Sequence, residues 1–249
     1  YTGSSAFGDW LRNNARQAQL FTEETGVNSV VIAATDDFDG MCANLAFALA
    51  LYSGQMGTSP QNIYIPAQGI ATDKGHKSFD AVAAALVAAI DGLLSDPVRA
   101  AGICGAIANP ATQTRVQAMA AKGRVLRAGA SKAEAGPLLL AVAEADAVAG
   151  EECFGPVAFV IAAQDADAAI VQAATLAMEK GAITAALYDT DEVRITRAEA
   201  AFADAGVNLS INLTGNIFVN QSAAFSDFHV TGANPAGNAS LTDTAFVAT

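Results

Sequence analysis

Two acidic turns and one glycine-rich loop hold most of the residues here that can do chemistry. Glu23 and Glu24 adjoin the Thr25-Gly26 turn, ahead of an apolar, β-branched run. A carboxylate at such a strand edge serves as a general base when partial burial strengthens its hold on a proton. The alternative is a solvated surface pair, since an unpaired glutamate is rarely buried. Gly57 lies 34 residues after Glu23 in Ser53-Gly54-Gln55-Met56-Gly57-Thr58, and by itself reads as a turn residue. Glu151-Glu152-Cys153-Phe154-Gly155-Pro156-Val157 is the strongest local signal, a Gly-Pro turn leading into a strand. Its carboxylate can accept from a ribose diol and its ring can pack on a flat heterocycle. A turn with a hydrophobic plug reads equally well. Gly3-Ser4 opens a helix whose N–H groups suit a phosphate, although an ordinary N-cap is the simpler reading. The spacing is not the Gly-x-Gly-x-x-Gly of a dinucleotide fingerprint.

The remaining reactive residue types are sparse. Cys42, Cys104 and Cys153 are far apart, odd in number and without C-x-x-C spacing, so neither a disulfide framework nor a zinc site follows. A reducing, cytoplasmic setting is the simpler reading. Cys153 reads as a buried apolar thiol rather than a displaced nucleophile. His76 and His229 are the only histidines and are distant in sequence, so no metal site is expected. Each reads as a satisfied surface or loop histidine, with proton shuttling as the alternative.

These residues need a scaffold, and the chain is built for one. Of its 249 residues 52% are apolar and 15% charged, ample for a large core. Net charge is −12 with 13 basic residues, which disfavours nucleic acid and anionic membrane surfaces as partners. β-branched runs alternate with alanine-rich segments of helical period, predicting an α/β fold with a mostly parallel sheet flanked by helices. Strands are expected at residues 28–33, 62–65, 124–127, 138–142, 157–163, 182–188, 209–213 and 216–220. Helices are expected at residues 5–19, from Asp36-Asp37 to about 52, 77–94, 112–122, 165–179 and 192–205. The apolar run 43–51 is too short for a membrane span and belongs to a buried helix. From Ser222 onward, Asn, Gly, Ser and Thr predict loop.

Several motifs in one order resemble the aldehyde dehydrogenase family. Tyr1-Thr2-Gly3-Ser4 with Gly8 is similar to the family's Phe-Thr-Gly-Ser-x-x-x-Gly. Glu23 with Gly26 resembles its Glu-Leu-Gly-Gly segment, and residues 53–58 its Gly-Gln-x-Cys-Thr nucleophile loop. Glu152-x-Phe154-Gly155-Pro156 resembles its Glu-x-Phe-Gly-Pro signature, and residues 217–220 its late Val-x-Val-Asn strand. Residues 22–28, 52–56 and 220–229 are similar to the branch that includes the aldehyde-dehydrogenase-like phenylacetic acid degradation protein of the N type.

The resemblance implies oxidation of a small-molecule aldehyde with NAD or NADP, in phenylacetate degradation, by a homo-oligomer. It implies the C-terminal half of such a protein: residues 1–26 ending a nucleotide-binding domain, and residues 27–249 forming the catalytic domain. The opening Tyr1, with no initiator Met, fits the interior of a longer chain. Glu23 would be the base, Gly3 and Ser4 would meet the cofactor pyrophosphate, Glu152 the nicotinamide ribose and Phe154 the nicotinamide. Gly57 stands where the family has its nucleophilic cysteine, so the covalent reaction is expected to be silent. The alternatives are a catalytically dead binding or assembly module, and a hydrolase in which Glu23 activates water. Thr25 replaces the first glycine of the Gly-Gly pair, and no Pro-Phe-Gly-Gly segment is recognisable.

Overall fold

The computed structural model describes residues 1–129, 136–144, 146–224 and 229–239. In chain order the elements are α1 (Ser5–Asn14), β1 (Asn28–Ile32), β2 (Ala34–Thr35), α2 (Phe38–Ala50), β3 (Pro60–Pro66), β4 (Ala71–Thr72), α3 (Phe79–Leu93), α4 (Pro97–Cys104) and α5 (Pro110–Met119). They continue with β5 (Arg124–Arg127), β6 (Leu138–Val142), β7 (Val157–Ala163), α6 (Ala166–Lys180), β8 (Thr184–Tyr188), α7 (Glu192–Asp204), β9 (Asn208–Ile211) and α8 (Val219–Ala224).

Seven strands form one sheet in the order β5-β6-β7-β3-β1-β8-β9, and β2 with β4 forms a small parallel pair. Every pairing in the large sheet is parallel except β5 with β6. The central strands are buried on both faces, which is why they read as unbroken apolar runs rather than alternating ones. Alternation survives as a choice of layer. Val31, Tyr64, Phe159, Leu140 and Leu187 join the core containing α6 and α7. Their neighbours Val30, Ile63, Val160, Leu139 and Ala186 join the core containing α2 and α3.

Helix ends follow cap chemistry. The Asp37 side chain accepts from Gly40 N–H at 2.9 Å and starts α2, and Asp165 and Asp191 start α6 and α7 in the same way. Predicted elements differ in several places, and the small β2–β4 pair was not expected. The helix expected over residues 5–19 ends at Asn14, where Ala15 leaves helical geometry. The strand expected over residues 216–220 is instead a turn entering α8 (Val219–Ala224), so the predicted loop begins later than Ser222. Here Asn220 spends its side-chain amide on the Ala48 carbonyl at 2.8 Å rather than in a ladder. Finally α4 was not expected, although Asp96-Pro97 is a good helix start, with Asp96 Oδ1 accepting from Val98 and Arg99 N–H. Residues 225–228 and 240–249 of the expected tail lie outside the described residues.

Candidate active site

The sheet order brings four connections side by side. Glu23 precedes β1, Gly57 precedes β3, residues 152–156 precede β7 and Ile183 precedes β8. Because β7, β3, β1 and β8 are adjacent and parallel, these segments meet at the amino ends of the strands. Ligands of many doubly wound sheets gather at the opposite, carboxyl ends.

Glu23 and Gly57 are in contact. A Cβ on Gly57 would stand 2.7 Å from Glu23 Oε1 and 3.2 Å from Ile183 Cδ1. The carboxylate is half-buried and lies against His229, with Oε2 3.2 Å from Nε2. His229, read from the sequence as a surface or loop residue, is thus part of the site. Glu24, by contrast, is buried and bound by Arg12 through both carboxylate oxygens, at 2.5 and 3.1 Å. The hydrogen bonds from Arg12 hold its pKa below the usual carboxylate range, so Glu23 and Glu24 have different fates.

Asn28 fixes the Gly57 loop. Its Nδ2 donates to the Gly57 and Ser59 carbonyls at 2.8 and 2.9 Å, and its Oδ1 accepts from Ile183 and Thr184 N–H at 3.0 and 3.1 Å. One buried amide therefore ties β1, the loop before β3 and the start of β8. Gln61 does the same for the acidic turn, accepting from Cys153 N–H at 2.7 Å and donating to the Glu151 carbonyl at 2.9 Å. The β1–β3 register shifts between Asn28 and Ser29, so Gln61 is passed over in the pairing and its side chain serves the turn instead. Asn28 and Gln61 are loop-holding residues that sequence reasoning missed. The available signal was an amide at the mouth of an apolar strand, which must find partners once buried.

The backbone before Gly57 is unusual. Tyr52, Ser53 and Gly54 take φ of 50°, 54° and 63°, left-handed at two residues that bear side chains. Ser53 Oγ anchors the turn by donating to the Cys104 carbonyl at 2.6 Å. A Cβ on Gly54 would stand 2.3 Å from the Gly155 carbonyl oxygen, so glycine there lets the Gly57 loop touch the acidic turn.

Glu152 is half-buried. Burial pushes its pKa up to about 7, with Glu23 adding to the rise, against the opposing pull of Gly26 N–H and Arg115. It borders a cavity of about 20 Å³ shared with Gly26, Asn28, Met56, Ser59 and Cys153, room for about one water. The Phe154 ring is 37% exposed, and its carbonyl accepts from Arg115 Nη1 at 2.9 Å. Gly3 is joined to Glu23 directly: Gly3 N–H donates to the Glu23 carbonyl at 2.9 Å. Ser4 caps α1, its exposed hydroxyl 3.4 Å from Phe7 N. Thr25 hydrogen-bonds Ser5 through paired hydroxyls 2.5 Å apart, so the departure from Gly-Gly links α1 to the strand edge.

All three cysteines are buried and free. Burial pushes Cys153 up to about 11 and Cys42 up to about 12, so neither thiol is a ready thiolate near neutral pH. Among the described residues no group of three or more His, Cys, Asp or Glu can hold a metal ion. No single described helix is long and apolar enough to cross a membrane.

The mostly parallel sheet flanked by helices is the fold of a dehydrogenase catalytic domain. The chain belongs to the aldehyde dehydrogenase family, which it matches over residues 1–237. It is similar to the NAD-dependent aldehyde dehydrogenase from Burkholderia multivorans, with 49% identity and a TM-score of 0.92 over 99% of this chain and 46% of that one. An aldehyde dehydrogenase of Mycobacterium tuberculosis complexed with NAD+ shares the fold at 22% identity and a TM-score of 0.69, over 86% of this chain and 44% of that one. So does the NADP-dependent glyceraldehyde-3-phosphate dehydrogenase of Bacillus halodurans C-125, at 21% identity and a TM-score of 0.66, over 87% and 44%. The chain thus spans a little under half the length of these relatives. No curated protein matches it.

Proposed function

We propose that this chain is the catalytic portion of an NAD(P)-dependent aldehyde dehydrogenase whose covalent step is silenced at Gly57. The observation that carries the reading is the 2.7 Å approach of Glu23 Oε1 to the place a side chain at position 57 would begin. A base is in contact with the nucleophile's position, and the nucleophile is missing. Residues 1–26 close a nucleotide-binding domain and residues 27–249 form the catalytic one. The complete protein is a cytoplasmic homo-oligomer acting on an aldehyde of phenylacetate breakdown, and kinship with the Burkholderia multivorans enzyme supports the dehydrogenase part of that reading.

The residues present suit a nicotinamide dinucleotide. Glu152 offers a carboxylate to ribose hydroxyls, the exposed Phe154 ring offers a flat face, and the amino end of α1 at Gly3 and Ser4 suits a pyrophosphate. Bound there, the cofactor would supply the hydride acceptor. This chain's own part is to hold a proton acceptor at Glu23, to keep the Gly57 loop in place through Asn28 and to present Phe154. Without a thiolate at position 57 no thiohemiacetal forms on the protein, and loss of a covalent nucleophile costs several orders of magnitude in rate.

The second reading, an assembly module without turnover, is favoured by edge strand β5, where Val125 is 47% exposed and only β6 is paired. The test is aldehyde-dependent NAD(P)H formation by the complete reading frame with Gly57 and with Gly57→Cys. Activity confined to the cysteine form supports a silenced dehydrogenase. Activity in neither refutes it in favour of the assembly module.

A further inference from the structure

We propose that His229 is a positioning residue for Glu23, holding one carboxylate oxygen so that the other faces position 57; this rests on the reading of Glu23 as the base. Nε2 of His229 lies 3.2 Å from Glu23 Oε2, while Nδ1 lies 3.2 Å from the Ala223 carbonyl oxygen. A carbonyl only accepts, so Nδ1 carries its hydrogen and the ring plane is set by α8. Nε2 then donates to Oε2 when the ring carries both hydrogens, the form that leaves Glu23 a carboxylate. Ring and carboxylate are both sheltered, with side-chain exposures of 16% and 21%. A second carboxyl close enough to feel Glu23 is Glu152, whose charged form Arg115 favours.

The division of labour follows from which oxygen each neighbour meets. Oε2 is held by His229, whereas Oε1 is the atom nearest the place of a Gly57 side chain. A cysteine at 57 would need Oε1 to retreat from 2.7 Å to ordinary contact, a small swing of a terminal carboxylate. With Oε2 as the pivot, that swing leaves Oε1 facing the sulfur. The scaffold for this is a small apolar cluster: Ala223, Val230 and Ala236 pack against Ile183, the residue that also borders position 57.

Two experiments test the proposal, and they fail separately. In the chain as it stands, labelled with nitrogen-15 histidine, Glu23→Gln is expected to move the ring nitrogens of His229 by several ppm and to leave those of exposed His76 in place. Unmoved His229 signals overturn the proposal whatever the activity of the protein. In the complete reading frame carrying Gly57→Cys, His229→Leu is expected to lower kcat about ten- to a hundredfold, the worth of one hydrogen bond to a charged group, with KM little changed. His229→Gln, which keeps a donor toward Oε2, should recover most of that loss. Equal kcat in all three proteins overturns the proposal, while an inactive Gly57→Cys parent refutes only the dehydrogenase reading and leaves the nitrogen measurement decisive.

Discussion

Replacing Glu152 by glutamine should stabilise the chain in mild alkali and do little in acid. The folded carboxyl keeps its proton up to about pH 7, because burial disfavours the charge, whereas the unfolded one releases it near 4.5. Its contribution to stability is therefore complete below pH 4.5, fades as pH rises toward 7 and is gone above that. At about 1.4 kcal/mol per pH unit, ionisation of Glu152 removes about 3 kcal/mol between pH 4.5 and pH 8. Glutamine keeps the shape and the acceptor facing Gly26 N–H while removing the ionisation. Urea denaturation of both proteins at the two pH values reads the effect directly. At pH 8 the Glu152→Gln midpoint should rise by about 1 M relative to the parent, and at pH 4.5 the two midpoints should nearly coincide. Subtracting the parent removes other titrating groups, including Glu24, whose lowered pKa makes its contribution present above about 4.5 and lost in acid. An identical midpoint difference at both pH values would show that Glu152 carries no burial penalty, and would refute the rise in its pKa.

Asn28→Ala should cost about 2–4 kcal/mol in chemical denaturation, because it unpairs four backbone groups on two segments at once. Gly54→Ala should cost at least about 2 kcal/mol, since the new Cβ would strike the Gly155 carbonyl oxygen from a left-handed backbone; a neutral result in thermal melts would mean the two turns are not in contact. Arg12→Ala leaves the Glu24 carboxylate buried without its partner, and should destabilise by about 2 kcal/mol at pH 7 and by less as Glu24 becomes protonated in acid. A thiol reagent at pH 8 should label none of the three buried cysteines in the folded chain and all three in denaturant; fast labelling of Cys153 would contradict its burial.

Much of this architecture was legible because it is local. Strands 138–142 and 157–163 were predicted to the residue and a strand was expected near 124–127, since a short apolar run bounded by turn residues has few other uses. The error at 216–220 has the same root: Ile217-Phe218-Val219 is apolar enough for a strand. It becomes a turn and helix because Asn44 takes the Ile217 carbonyl at 2.7 Å and Asn220 reaches Ala48, contacts with partners about 170 positions away.

The sequence by itself determined the α/β class and marked Gly57 and the acidic turn as candidate site segments, because residue type and spacing along the chain carry those. Only the tertiary structure decided which glutamate of the Glu23-Glu24 pair faces the site. It also decided that Asn28 and Gln61 hold the loops and that His229 reaches Glu23 across 206 positions of chain. Those outcomes depend on strand order, which sets β7, β3, β1 and β8 edge to edge, and a buried polar group answers to whatever that order places beside it.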